Sequence, residues 1–387
     1  MQPKDLRIAL FSGNYNYVLD GANKALNRLV GYLLSQGAQV RIYAPVVENP
    51  AFPPTGDMVH IPSFSIPTRR EYRIPGALTG RVRHDLEAFA PNVIHISSPD
   101  VVAHRVTTWA RKRGIPVVAS VHTRFETYLS YYHLQMFEPI VRAIIRRLYR
   151  RCDALLVPAQ STAAVLRAGR MNRDIAIWSR GVDQAQFNPG RRDMAWRRGL
   201  GVADDEMVIA FLGRIVMEKA IDVFADAIDA LAARGVKHRV LVIGEGPARP
   251  WFEGRLPGAI FIGHQDGADL ARALASADLF LNPSVTEAFG NVTLEAMACG
   301  LPVLAAVATG ATNLVVDGVT GVLIEPNGID GYAGALERYA RDPALRARHG
   351  AAGLDFAQAQ DWDHINAAVE KVYARVIERR RRLGPAS

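Results

Sequence analysis

The chain has 387 residues, 49% hydrophobic, 22% charged and 8% aromatic, a balance that excludes disorder or a fibrous repeat for most of its length. A single core stops growing near about 250–300 residues, so this length points to two domains. Forty-six Lys and Arg against thirty-eight Asp and Glu give a net charge of +8, which suggests an anionic partner (a nucleotide, a nucleic acid or a membrane surface) without choosing among them. Cys152 and Cys299, the two cysteines, stand far apart in apolar or helical surroundings. That pattern makes neither a disulfide framework nor a zinc site and fits a reducing compartment. The apolar run 6–11 is too short for a signal-peptide core and is interrupted by Arg7, and no stretch of about 18 apolar residues runs unbroken. The expected location is the cytoplasm, with any membrane contact peripheral.

In chain order, residues 6–11 read as a buried strand, followed by a loop rich in Gly, Asn and Tyr. Across 22–36, Ala25, Leu26, Leu29, Val30 and Leu33 recur at helical spacing; Gly37 stops this helix and 40–44 is the next strand. The alternation continues with a strand at 93–96, a helix at 101–113, a strand at 116–121, a long helix over 136–151 and a strand at 154–157. At Phe187-Asn188-Pro189-Gly190 the apolar pattern lapses into linker composition. A second alternation follows, with strands at 208–212, 240–243, 260–262, 279–282, 303–305 and 322–324 and helices at 221–234 and 292–299. Strands alternating with helices predict an α/β chain of two Rossmann-like, doubly wound parallel-sheet domains. The expected division is 1–186, 187–362 and a C-terminal helix, 363–387, returning to the first domain. That helix ends in Arg379-Arg380-Arg381-Arg382, which reads as a solvated helix end complementing the dipole, with anionic lipid contact as the alternative.

Ligands of doubly wound sheets bind beyond the carboxyl ends of the strands, which directs attention to two stretches. Gly213-Arg214-Ile215-Val216-Met217-Glu218-Lys219 follows the first strand of the second half; Gly213 permits close backbone approach, and Arg214 and Lys219 bring two cations suited to a diphosphate. The stretch from Thr286 to Pro302 puts Glu287 in a strand-to-helix loop and Glu295 in the helix after it. Between them, the amides of Phe289, Gly290, Asn291 and Val292 form a helix N-terminus that suits a phosphate. Carboxylates accept hydrogen bonds from vicinal hydroxyls, so one acid can grip a ribose and the other a transferred sugar.

These two stretches resemble the diphosphate-binding and Glu-x7-Glu motifs of glycosyltransferase family 4, retaining enzymes of the GT-B fold, in which two such domains face a central cleft. Supporting matches are Gly21, Val118-Ala119-Ser120-Val121-His122-Thr123, Arg180-Gly181-Val182-Asp183 and Asp317-Gly318-Val319-Thr320-Gly321, so the resemblance covers nearly the whole chain. It implies that Arg214 and Lys219 hold the donor diphosphate, Glu295 binds the donor ribose and Glu287 contacts the donor sugar. It further implies that His122 faces that sugar and that the Gly21 loop approaches the phosphates. Arg180 stands between a structural role near the hinge and a functional one. One departure is Thr309-Gly310-Ala311-Thr312-Asn313, where many relatives carry Gly-Gly-x-x-Glu; neutral Asn313 replaces an acid. No Asp-x-Asp motif occurs at a fitting strand end, so no metal and no resident cofactor is expected, and cations and helix dipoles must carry the leaving-group charge.

The donor is expected to be a nucleoside-diphosphate sugar, a UDP-hexose or UDP-hexuronic acid ahead of GDP-mannose, with Arg124 offering a carboxylate partner. The acceptor reading rests on two arginine groups, Arg69, Arg70, Arg73, Arg81 and Arg83, and Arg142, Arg146, Arg147, Arg150 and Arg151. Beside them lie Tyr128, Leu129, Tyr131, Tyr132, Met136 and Phe137. Such a basic patch with aromatics suits an anionic membrane surface and a lipid acceptor such as diacylglycerol; core aromatics and solvated arginines are the plainer alternative. A mannosyltransferase, a polysaccharide-assembly enzyme with a glycan acceptor and a non-catalytic nucleotide-sugar scaffold are competing functions. A dinucleotide oxidoreductase is disfavoured because Gly244-Glu245-Gly246-Pro247-Ala248-Arg249 lacks the third glycine and the later acid. No nucleic-acid partner is expected.

Overall fold

The computed structural model describes residues 1–17, 21–66, 69–122, 136, 138–287 and 289–383, with backbone alone for 65, 66 and 69–72. The chain divides into two compact units, Met1–Ser179 with Asp363–Ser387, and Arg180–Trp362. The first unit carries β1 (Arg7–Phe11), β2 (Gln39–Ala44), β3 (Asp57–His60), β4 (Ser63–Ile66), β5 (Arg69–Pro75), β6 (Val93–Ile96), β7 (Val117–Ser120), β8 (Ala154–Val157) and β9 (Ile175–Ile177). Seven of these form a parallel sheet in the order β3-β2-β1-β6-β7-β8-β9, while β4 and β5 pair as an antiparallel hairpin. Strand order reverses at β1, which is flanked by β2 and β6.

Period-two alternation sorts the side chains of this sheet. Ala9, Phe11, Ile94, Ile96, Val117 and Ala119 join one core, while Ile8, Leu10, Val93, His95, Val118 and Ser120 are buried on the other face. His95 and Ser120 are polar residues in otherwise apolar rows, and both are hydrogen-bonded, as burial demands.

Helix Trp362–Leu383 runs with the first unit from Asp363 onward. Its arginine run differs from the solvated end read in the sequence. Arg379 and Arg375 pair with Asp174 at 2.9 and 2.8 Å, and Arg380 pairs with the buried Asp153 at 2.7 Å. Only Arg381 and Arg382 of the four are exposed. Asp153 and Asp174 flank β8 and β9 in sequence, so no local signal marked them as partners.

The second unit begins at Arg180, not at 187. The cause is that residues 180–187 are already bound into it: Val182 N donates to Gln360 O at 3.2 Å, Gln184 Nε2 to Gln358 O at 2.8 Å, and Val182 and Phe187 sit in its core. Its strands are β10 (Met207–Leu212), β11 (His238–Ile243), β12 (Ile260–Phe261), β13 (Leu279–Asn282), β14 (Val303–Ala306) and β15 (Gly321–Ile324), a parallel sheet ordered β12-β11-β10-β13-β14-β15. Val208 and Ala210 face one apolar cluster and Met207, Ile209 and Phe211 the other; Phe280 alternates with Leu279 and Leu281 in the same way. A sheet buried on both faces needs its polar groups at the strand ends, and reversal of order at β10 opens the crevice there between the loops after β10 and β13.

Candidate active site

Beyond β10 the chain turns through Gly213 (φ +153°) to the exposed Arg214 and a short 3-10 turn, Met217–Lys219. Beyond β11 lie Gly244 and Gly246, whose role is steric. A Cβ on Gly244 would fall inside the Gly213 carbonyl, and one on Gly246 inside the backbone of Ile215. Gly213 N donates to Ile243 O at 3.0 Å and Ile215 N to Glu245 O at 2.9 Å, so the two strand-end loops lie backbone against backbone. The sequence treats Gly244 and Gly246 only as a failed dinucleotide fingerprint. Their spacing in fact serves a close approach of two loops, a role that becomes legible once β10 and β11 are known to be neighbours.

The loop after β13 is stitched onto the same platform. Thr286 Oγ1 donates to Glu218 O at 3.1 Å, and Lys219 Nζ reaches Glu287 Oε1 at 2.8 Å. Glu287 is 11% exposed and Lys219 29%, so this ion pair is partly withdrawn from water and held more firmly than a surface pair. The sequence assigned these two side chains separate tasks, diphosphate and sugar; here they are partners. An ammonium has three hydrogens, so Lys219 keeps two for an anion while bound to Glu287. Arg214 has no ion-pair partner among the described residues.

Helix Asn291–Ala298 starts after Gly290, which adopts φ +90°. A Cβ there would press on Glu287 Oε2 at 3.2 Å, and one on Gly310, in the loop after β14, would meet Glu287 Cβ and O at 2.8 Å. Glycines on two loops therefore make room for this one acid. Gly310 is a contributor the sequence did not single out, because the comparison there turned on Asn313, whose Nδ2 donates to Thr309 O. Asn282 Nδ2 donates to Thr293 Oγ1 at 3.1 Å, tying the strand end to the helix. Asn291, Val292 and Glu295 are half-buried, while the Phe289 side chain belongs to the apolar core, leaving its backbone as the group it can offer. Burial, with the charge of Glu295, pushes the Cys299 thiol up to about 12, so it is no nucleophile.

The structure thus brings Gly213, Lys219, Glu287 and Gly290 together in the second unit, with Arg214, Asn291, Val292 and Glu295 on the same loops and helix. Gly21 and His122 belong to the first unit. Gly21, expected in a loop, lies in helix Gly21–Ser35. His122 lies two residues past β7, half-buried, and shares a 2.8 Å hydrogen bond with Ser120 Oγ. Ser120 Oγ is 2.9 Å from His95 Nε2, and His95 Nδ1 is 2.7 Å from the Tyr373 hydroxyl. Arg180 is buried. Arg124, Tyr128, Leu129, Tyr131, Tyr132 and Phe137 lie outside the described residues, as do the side chains of Arg69 and Arg70.

Helix Glu138–Tyr149 leaves Ile140 58% and Ile144 50% exposed, on one stripe with exposed Arg147, while Ile145, Leu148 and Tyr149 face the core. Exposed Met136 precedes it. Among the described residues, no helix is long and apolar enough to cross a membrane and no cluster of metal-ligating side chains occurs.

Two family models match the chain: "Glycosyltransferase Family 4" over residues 19–186 and "Glycosyl transferases group 1" over 206–342. A sulfoquinovosyl transferase from Arabidopsis thaliana is 30% identical over 95% of this chain and 73% of its own length. A GDP-mannose-dependent alpha-mannosyltransferase from Mycolicibacterium smegmatis is 31% identical over 97% of this chain and 99% of its own. Among solved structures, Anabaena HepE in complex with UDP superposes with a TM-score of 0.75 at 19% identity, over 96% of this chain and all of HepE.

Proposed function

The chain belongs to glycosyltransferase family 4, and on that premise we propose that it moves a hexose or hexuronic acid, with retention, from a UDP-sugar to a hydroxyl of a membrane lipid such as diacylglycerol. The observation that carries the donor half of this reading is the Lys219–Glu287 pair, 2.8 Å apart on two glycine-fitted strand-end loops. Glycosyl transfer leaves positive character on the sugar ring and negative charge on the departing diphosphate. Arg214, the two remaining Lys219 hydrogens and the Gly290–Val292 amides supply preorganised positive charge for the diphosphate, and Glu287 supplies an anionic acceptor for the sugar's hydroxyls. The acceptor oxygen bonds to the anomeric carbon as the bond to diphosphate breaks with its electron pair. The acceptor proton passes to a diphosphate oxygen on the same face, so no protein base is required. His122 is read as a contact of the donor sugar, and Glu295 as the ribose partner.

UDP is the nucleotide with which HepE was solved. A second donor, GDP-mannose, is favoured by the mannosyltransferase matched along 99% of its length. A thermal-shift panel of UDP- and GDP-sugars decides between them, because a ligand that binds only the folded chain raises its melting temperature. A shift with GDP-mannose and none with UDP-sugars would replace the first reading by the second.

The lipid half rests on the stripe of Ile140, Ile144 and Arg147, with Arg142 and Arg146 on the same helix and Arg150 in the turn after it. Apolar side chains flanked by guanidinium groups suit the interface of an anionic bilayer. Vesicles containing phosphatidylglycerol should bind the chain at low salt and lose it on Ile140→Ser with Ile144→Ser. No binding by the unaltered chain would overturn the lipid acceptor and leave a soluble glycan acceptor in its place.

A further inference from the structure

Three buried polar side chains from distant parts of the sequence line up behind His122. Tyr373 comes from the C-terminal helix, His95 from β6 and Ser120 from β7, and all three are buried. The contacts are continuous: Tyr373 Oη to His95 Nδ1, 2.7 Å; His95 Nε2 to Ser120 Oγ, 2.9 Å; Ser120 Oγ to His122 Nε2, 2.8 Å. Trp178 walls both rings edge-to-face, at centroid distances of 6.2 Å from His95 and 5.4 Å from His122. It is anchored in turn by its Nε1, which donates to Asn366 Oδ1 at 3.3 Å.

The direction of such a chain is set by its end. Burial holds the Tyr373 phenol protonated and keeps His95 neutral, its pKa pushed down to about 3. The phenol hydrogen has His95 as its hydrogen-bond partner among the described residues, and leaving a buried donor unmet costs about 1–3 kcal/mol. Tyr373 therefore donates to His95 Nδ1. A neutral imidazole accepting at Nδ1 carries its hydrogen on Nε2, which donates to Ser120 Oγ. The Ser120 hydroxyl then gives its own hydrogen to His122 Nε2.

We propose that Tyr373, His95 and Ser120 are positioning residues whose hydrogen bonds run one way, from the phenol outward, and hold neutral His122 with its ring hydrogen on Nδ1. In this tautomer Nε2 is occupied as an acceptor, and whatever His122 binds through Nδ1 it binds as a donor. The inference rests on the reading of His122 as a contact of the donor sugar. There it gives the ring a defined task, donation to a sugar hydroxyl, which accords with a transfer whose proton leaves through the diphosphate. A hydrogen on His122 Nε2 would leave one buried donor unmet: that of Ser120 if its oxygen accepted from both rings, or that of Tyr373 if the whole chain turned.

The test is 15N NMR of the full chain labelled at histidine, with the His122 ring signals assigned by their loss in His122→Ala. The expected result is a protonated Nδ1 and an unprotonated Nε2 on His122 in the unaltered chain. In Tyr373→Phe the signals should move toward a mixture of tautomers, while kcat falls roughly three- to tenfold, the worth of one hydrogen bond, and donor KM stays unchanged. A hydrogen on His122 Nε2 in the unaltered chain, or His122 signals indifferent to Tyr373→Phe, would overturn the proposal. Transfer activity of His122→Ala reports separately: full activity there would overturn the sugar-contact reading and leave the tautomer result standing.

Discussion

The two units solve the same problem, holding a polar group at the end of a buried parallel sheet, by different means. In the second unit the support is backbone: Gly244 and Gly246 lie against Gly213 and Ile215, and Gly290 and Gly310 clear space around Glu287. In the first unit the support is a file of side chains, Ser120, His95 and Tyr373, behind His122. Backbone support lets charged groups sit close together near the surface. Side-chain support reaches through the core and fixes the hydrogen-bonding sense of one ring.

The largest expected effect bears on the charged half of this comparison. Lys219→Ala removes the cation proposed to meet the leaving diphosphate and strands Glu287, which is 11% exposed. Loss of one preorganised donor typically costs about 10²–10³ in kcat, to be measured as steady-state transfer under saturating donor. A tenfold loss or less would mean that Lys219 serves the structure of the loop and that Arg214 carries the diphosphate.

Next in size is the backbone support. Gly244→Ala forces a methyl into the Gly213 carbonyl at a φ of +143°, and overpacking of this kind costs roughly 1–3 kcal/mol. Gly258→Ala is the control: nothing lies within 4 Å of its Cβ position, and a change within about 0.5 kcal/mol is expected. Denaturant midpoints of the two variants decide the matter, and equal midpoints would show that the two loops can separate without cost.

The same contrast explains what the sequence made legible. Arg214, Lys219, Glu287, Gly290 and Glu295 fall in two short stretches directly after strands, so strand prediction and residue type located them together. Short apolar runs alternating with helical stretches likewise marked β10, β13 and β14 within a residue or so of their observed ends. Ser120, His95 and Tyr373 are separated by 25 and 278 residues along the chain; nothing local distinguishes a buried His in an apolar strand from a packing residue. The edge strand Asp57–His60 was missed because no residue in it is fully buried, and helix Gly80–Phe89 because only Val82 and Leu86 in it are fully buried. The Arg379 and Arg380 pairs were missed because Asp153 and Asp174 become their neighbours only when the last helix packs on the first unit.

The smallest expected effect tests the side-chain support through stability. His95 has its folded pKa lowered by burial to about 3, against an ordinary 6.5. Between those values the unfolded chain binds a proton that the folded chain refuses, so this contribution is complete above pH 6.5 and is lost as pH falls toward 3. The slope is about 1.4 kcal/mol per pH unit, or roughly 2 kcal/mol by pH 5. Asp100 opposes it: burial, against hydrogen bonds from Ala103 and Val102, raises its carboxyl to about 6 from 3.8. Between 3.8 and 6 the folded chain therefore holds a proton there that the unfolded chain has lost, and stability from this group falls as pH rises. The curve for the whole chain thus conceals both slopes, and the difference between the unaltered chain and His95→Gln exposes the first. That difference in unfolding free energy, from urea titrations at intervals between pH 7 and 4.5, should narrow on acidification by about one proton's slope. A difference independent of pH would mean that His95 takes up a proton in the folded chain, and a charged His95 could not accept from Tyr373 at Nδ1.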